Sequence, residues 1–186
     1  ILYSIYLVLT IIEILILLFG GMSLFESVTL TFGTAGTGGF GVLNSSIASY
    51  SPFCQGVITV FMALFGINFN FYFLLLCKKF KDAFKSEEVW TYLAIMLSAI
   101  VVIAINVKDM FASFGEALHH SAFQVSSVMT TTGYATTDFN QWPELSRMIM
   151  LAVMCVGACA GSTGGGLKVS RVILLLKSAR REFRRI

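Results

Sequence analysis

The sequence predicts an all-α membrane protein built from two successive repeats, each a helix, a shorter re-entrant helix ending in a glycine loop, and a second helix. Three observations predict it. The chain is strongly apolar, with 56% hydrophobic and 12% charged residues and a mean hydropathy of +0.82, against roughly 25% charged residues in soluble domains. The same order of apolar runs and glycine loops occurs twice. The last apolar run is interrupted by VGACAGSTGGGLK at residues 156–168. The repeats occupy residues 1–78 and 89–186, joined by a connection at 79–88.

The first apolar span, residues 1–19, carries a single charge, Glu13. An intramembrane carboxylate is a functional candidate by default, although pairing with a polar group inside the bundle satisfies it equally well. Residues 24–35 form a shorter stretch, of a length that enters a bilayer and turns back rather than crossing it. TGGFG at 37–41, a polar connection at 42–51 and Pro52 follow, and 53–77 reads as one span. After KKFKDAFKSEE at 78–88, the pattern returns as a span at 89–107, a shorter stretch at 111–129, TTGYA at 131–135 and Pro143. Superposition pairs Thr37 with Thr131, Gly39 with Gly133, Phe40 with Tyr134 and Ser27 with Ser121, and each proline suits a first helical turn.

From Pro143 to Lys177 a single helix would reach roughly 50 Å at about 1.5 Å per residue. A bilayer core is about 30 Å thick. The glycines at 157–166 therefore break the final helix, and unpaired backbone at membrane depth is tolerated only against protein or a water-filled cavity. A permeation pathway beside this break follows.

Each re-entrant stretch ends in threonines and glycines whose backbone can present carbonyl oxygens, at a helix end that carries partial negative charge. Rings of carbonyls can replace a cation's hydration shell, and Gly39 and Gly133 permit the backbone angles that turn them inward. Charge sets the orientation. Most of the 13 Lys and Arg residues lie in 78–88 and in the tail 169–186, which the positive-inside rule makes cytoplasmic. The glycine loops then face outward, with Asp138 and Glu144 near the mouth. Lys168 and Arg171 share a helical face just after the break, where they either raise a barrier to cations or snorkel to the interface.

TFGTAGTGGFG at 31–41, MTTTGYATTDF at 129–139, GINFNFY at 66–72 and GSTGGGLK at 161–168 resemble the TrkH/KtrB/HKT superfamily of potassium transporters, and within it the Trk branch. The resemblance covers essentially the whole chain and matches the second and third of four membrane–re-entrant–membrane repeats. It implies a selectivity filter at Thr37, Gly38, Gly39, Phe40, Thr131, Thr132, Gly133 and Tyr134, with potassium as the transported ion and no bound cofactor. It also implies a gate under that filter, made by Gly157, Gly161, Ser162, Thr163, Gly164, Gly165, Gly166 and Lys168. The implied partners are the remaining repeats, a second copy in a homodimer, membrane lipid and a cytoplasmic nucleotide-binding regulatory subunit near residues 180–185. No nucleic acid is expected. The implied location is a bacterial inner membrane, and both symport and channel-like conduction fit. The chain, which opens on an apolar Ile1, reads as a piece of a longer protein; a half-length subunit that dimerises, or a non-conducting accessory subunit, are the alternatives.

Other chemistry is excluded. GSTGGGLK is not a phosphate-binding loop, because Lys168 follows Leu167 and no Ser or Thr follows it. A serine-protease reading of GSTG would put Thr163 at the nucleophile position. Cys54, Cys77, Cys155 and Cys159 form no CxxC pair, and Cys155 and Cys159, one turn apart, read as small buried helix residues. His119 and His120 fall near the outer surface, and Asn68 and Asn70 read as bridges between helices. No enzyme activity is expected.

Overall fold

The computed structural model describes residues 2–184; Ile1, which opens the first expected span, and Arg185 of the basic tail lie outside the described residues. Among them the chain is all helical: α1 (Leu2–Phe19), α2 (Leu24–Ala35), α3 (Pro52–Phe65), α4 (Phe69–Leu76), α5 (Phe80–Phe84), α6 (Glu87–Val107), α7 (Phe114–Met129), α8 (Glu144–Val156) and α9 (Val169–Phe183). Two helices are long and apolar enough to cross a membrane, Leu2–Phe19 with mean hydropathy 2.5 and Glu87–Met110 with 2.1. They expose apolar side chains along their outer faces, Val8, Ile11 and Leu15 on α1 and Leu97, Val101 and Ile105 on α6. The two helices that lead into the glycine loops bury polar side chains. α2 buries Ser27, Thr31 and Thr34, and α7 buries Ser121, Gln124, Ser126 and Ser127. Polar groups inside and apolar groups outside is the arrangement that suits a lipid solvent.

Local chemistry starts each re-entrant helix. Ser23 and Glu26 form a capping box on α2, and the Ser113 side chain accepts from the Glu116 N–H on α7. The hydrogen bonds from Ser23 hold the Glu26 carboxyl below the usual carboxylate range. Tyr50 donates to Glu26 at 3.1 Å, and burial together with that carboxylate pushes the Tyr50 hydroxyl up to about 12. Gln55 ties down the rest of the connection by donating to the Ile47 and Tyr50 carbonyls. Its own carbonyl oxygen meets His119 Nε2 at 2.8 Å, so α3 and α7 share the anchor. α7 packs on α3, α6 and α8. One core surrounds Tyr92, Ile103, Met129 and Trp142. A second joins the repeats, with Phe123 and Tyr134 packed among Leu17, Leu30, Ile58 and Met62.

Several expectations need correction. Residues 53–77 are not one straight helix: α3 and α4 meet at an angle of 87°. Gly66 caps α3 and the Asn68 side chain caps α4 by accepting from the Asn70 N–H at 2.9 Å, so the polar residues after the glycine start a new helix. The connection read as 79–88 holds α5, and α6 already begins at Glu87. Pro52 takes the first helical position of α3, but Pro143 is the N-cap of α8. Cys155 ends up exposed and Cys159 buried, because α8 stops at Val156 between them. Glu13 is buried with the Thr34 side chain as its polar neighbour; the Thr34 hydroxyl donates to the Leu30 carbonyl, and neither carboxyl oxygen makes a hydrogen bond of ordinary geometry. Asn70 is exposed and bridges nothing with its side chain among the contacts described.

The bend is tightly packed. A Cβ on Gly66 would lie 2.3 Å from Tyr92 Oη and 2.9 Å from Thr130 Cγ2, and Tyr92 cannot retreat without releasing the Ala63 carbonyl it holds at 3.1 Å. Gly66→Ala is expected to cost about 1–3 kcal/mol of stability. Thermal unfolding of the purified protein, alone and combined with Tyr92→Phe, checks this: the Gly66→Ala penalty shrinks in the Tyr92→Phe background.

Candidate functional site

The two glycine loops have one backbone design. In the first, Thr37 N–H donates to the Thr34 carbonyl at 3.1 Å, and Gly38 and Gly39 both donate to Gly33 at 2.8 and 3.3 Å. In the second, Thr131 donates to Val128 at 3.1 Å, and Thr132 and Gly133 both donate to Ser127 at 2.9 and 3.4 Å. Every donor and acceptor matches its counterpart at the separation of 94 that also relates Phe40 to Tyr134. Thr37 and Thr131 have φ of 50° and 60°, and Gly39 and Gly133 have 66° and 89°. A β-branched residue in the left-handed region is a costly conformation that persists only where its surroundings enforce it. Here it occurs at both equivalent positions.

The glycines are required for different reasons. A Cβ on Gly39 would sit 1.9 Å from the Thr132 carbonyl oxygen, so the loops touch there. A Cβ on Gly133 would meet nothing within 4 Å, and only its φ of 89° demands glycine. Gly38 and Gly133 are exposed, and Thr132 is buried, its hydroxyl 2.8 Å from that of Thr130. The aromatic partners diverge: Phe40 is 80% exposed, whereas Tyr134 is 1% exposed with its hydroxyl between the Leu30 and Phe40 carbonyls.

Residues 157–168 run beneath both loops. Thr37 Oγ1 lies between the Gly36 carbonyl at 2.8 Å and the Thr163 carbonyl at 3.0 Å, which share its one proton, and Gly165 N–H donates to Thr131 Oγ1 at 2.7 Å. The two strained threonines are therefore the contacts between the glycine loops and the segment below. A Cβ on Gly164 would come within 2.5 Å of Ala158 Cβ and 3.1 Å of the Thr130 carbonyl, and one on Gly157 within 2.7 Å of the Gly165 carbonyl. Gly161 and Gly166 adopt φ of 71° and 82°. Ser162 donates to the Cys159 carbonyl at 2.6 Å. Lys168, with φ of 75°, turns back so that its ammonium donates to the Gly164 carbonyl. The residues expected to act together as filter and gate are thus in direct contact.

The α3–α4 bend holds this segment from the other side. Helix ends leave carbonyls without partners. Tyr92 donates to Ala63 at 3.1 Å, Tyr72 to Leu64 at 2.9 Å, Thr163 Oγ1 to Phe65 at 3.3 Å and Cys159 N–H to Gly66 at 3.1 Å. Phe69 N–H at the start of α4 donates to the Gly161 carbonyl at 3.1 Å. Glu88 completes the joint, accepting from Ala160 N–H at 2.6 Å and facing Asn68 Nδ2 at 3.5 Å. Sequence reasoning missed Glu88 by assigning it to a charged connection. Its spacing from Tyr92 and Met96, both buried, was the available signal, since residues four apart share a helical face.

The oxygen donors here are backbone carbonyls and threonine hydroxyls, a set suited to a weakly hydrated monovalent cation. Among the described residues no group of three His, Cys, Asp or Glu side chains could hold a metal ion. After the second loop, Asp138 accepts from the Asn140 backbone and side chain at 3.0 and 2.9 Å, which fixes a 3₁₀ turn. His120 Nδ1 meets Thr136 Oγ1 at 3.0 Å.

A family model described as TrkH, cation transport protein, matches residues 1–186. The chain is 33% identical to a Trk system potassium uptake protein TrkH of Salmonella typhimurium over 100% of the chain and 39% of that protein. It is 30% identical to the Trk system potassium uptake protein TrkG of Escherichia coli K12 over 89% of the chain and 35% of that protein. The crystal structure of the potassium transporter TrkH from Vibrio parahaemolyticus superposes with a TM-score of 0.92 at 30% identity, over 99% of this chain and 41% of that one. The chain spans about two fifths of the length of these relatives.

If Glu88 anchors the glycine segment, its removal leaves the Ala160 N–H unpaired, a loss of about 1–3 kcal/mol. Cys159 is fully buried in that segment and Cys77 is exposed. Glu88→Ala should therefore raise labelling of Cys159 by a soluble maleimide roughly five-fold or more relative to Cys77, and Glu88→Gln, which keeps the acceptor oxygen, should raise it less.

Proposed function

Because the chain belongs to the TrkH family of cation transport proteins, we propose that it contributes two filter segments and the gating loop of a potassium uptake protein. The observation that carries this reading is the double attachment of residues 157–168 to Thr37 and Thr131. A segment bonded to the base of both glycine loops is placed to obstruct a cation leaving them. The relatives named as potassium uptake proteins supply the ion.

In this mechanism Thr37, Gly38, Gly39 and Phe40 from one repeat, and Thr131, Thr132, Gly133 and Tyr134 from the next, present oxygens to potassium. The C-terminal ends of α2 and α7 add their partial negative charge. Below them Gly157, Gly161, Gly164, Gly165 and Gly166 let the loop change shape at low steric cost, with Ser162 and Thr163 holding its closed form. Lys168 brings a positive charge against the loop, and its bond to the Gly164 carbonyl couples that charge to the closed conformation. A cation passing it in a poorly hydrated pore meets about 4 kcal/mol of repulsion at 4 Å and an effective dielectric of 20.

The remaining repeats of the longer protein complete the pore, and lipid of a bacterial inner membrane covers the apolar faces. A homodimer, and a cytoplasmic nucleotide-binding subunit docking on the basic end of α9 at Arg180, Arg181 and Arg184, complete the assembly. Lys177 pairs with Glu87 and ties that helix to the start of α6.

Rubidium uptake by the full-length transporter in proteoliposomes, competed by sodium, tests the filter. Gly133→Ser should lower the preference for rubidium more than a substitution at Ala135; equal preferences with normal expression would remove the glycine loops from the filter. Deleting several residues within 157–166 should raise flux, and unaltered flux through a well-folded deletion variant would reduce the segment to a packing kink.

A further inference from the structure

The two glycine loops share a backbone but differ in how their last carbonyl is held. In the second, Ser127 Oγ donates to the Tyr134 carbonyl at 2.6 Å, within one repeat. The residue equivalent to Ser127 in the first repeat is Gly33, which has no hydroxyl to offer the Phe40 carbonyl. Another hydroxyl occupies that space. A Cβ built on Gly33 would lie 2.1 Å from Tyr134 Oη and 3.3 Å from the Phe40 carbonyl oxygen. Tyr134 Oη stands 3.3 Å from the Phe40 carbonyl and 3.0 Å from that of Leu30. The Leu30 oxygen already accepts from the Thr34 hydroxyl at 2.9 Å, whereas the tyrosine hydroxyl is the side-chain donor available to Phe40.

We propose that Tyr134 is a positioning residue for the other repeat's filter segment: its hydroxyl replaces in trans the serine that Gly33 lacks, and holds the Phe40 carbonyl as Ser127 holds its own. Three features fit together under this assignment. Gly33 is glycine because the tyrosine hydroxyl takes the volume of a side chain. Tyr134 is buried, while Phe40, its counterpart at the separation of 94, lacks a hydroxyl and is exposed. The second repeat needs no such help, because Ser127 is present. The two segments are thereby coupled, since a shift of the second loop withdraws the donor from the first.

The proposal rests on the filter reading above, and the experiment separates the two. Rubidium preference over sodium is measured for the full-length transporter in proteoliposomes. Tyr134→Phe should lower it about five-fold, the weight of one neutral hydrogen bond. Adding Gly33→Ser should restore it, because the serine hydroxyl supplies the donor in cis, and adding Gly33→Ala should not. Ser127→Ala should cause a loss of similar size through the Tyr134 carbonyl, which keeps the test open if Tyr134→Phe does not fold. Gly133→Ser is the control for the filter itself. If Gly133→Ser lowers the preference while Tyr134→Phe or Ser127→Ala leaves it unchanged, the assignment is overturned and the filter stands. Equal rescue by Gly33→Ala and Gly33→Ser would also overturn it, since volume rather than the hydroxyl would then be the cause. If Gly133→Ser changes nothing, the filter reading fails and the assignment falls with it.

Discussion

A helix broken inside a bilayer leaves backbone N–H and C=O groups that lipid cannot satisfy, each at a cost of several kcal/mol. This chain has two such breaks, after Phe65 and after Val156, and each satisfies the other. The carbonyls of Phe65 and Gly66 accept from Thr163 and Cys159 of the glycine segment, and the Gly161 carbonyl accepts from Phe69 at the start of α4. The remaining ends turn to Tyr72, Tyr92 and Glu88. The docking of the two breaks fixes the glycine segment against α6 on one side and leaves its other side against Thr37 and Thr131.

Glycine content follows from that docking. Gly66 admits the Tyr92 hydroxyl, Gly157 lets the two ends of the segment cross, and Gly164 and Gly165 lie against Ala158 and the side chain of Thr131. Replacing any of them introduces atoms where backbone already packs. The segment meets the glycine loops through two threonine hydroxyls.

Much of this was legible in the sequence. Apolar runs of the right length gave α1 and α6, the shorter run at 24–35 gave α2, and the paired Thr-Gly motifs located both loops. The break at 157–168 was legible because five glycines cannot be hidden in a helix. The α3–α4 bend was not. GINFN reads as apolar residues around two asparagines, and nothing local says that Asn68 caps a new helix rather than facing a neighbour. Glu88, which faces Asn68, and the Gly161 carbonyl, which accepts from the Phe69 N–H, lie 20 residues away and beyond. Glu88 was hidden for the related reason that a charge beside a lysine-rich run looks solvated until the fold supplies a buried N–H. Cys159 was read as helical because the apolar run continues past the residue where the helix stops.

The α3–α4 bend and residues 157–168 form one hydrogen-bonded unit. Amide hydrogen exchange of the full-length protein in lipid nanodiscs, with and without Glu88→Ala, tests it most directly. Phe69, Cys159, Ala160 and Gly165 should exchange slowly in the unaltered protein, and the variant should accelerate all four together. Acceleration confined to Ala160, or exchange at Phe69 and Cys159 as fast as at the exposed residues 43–45, would contradict it.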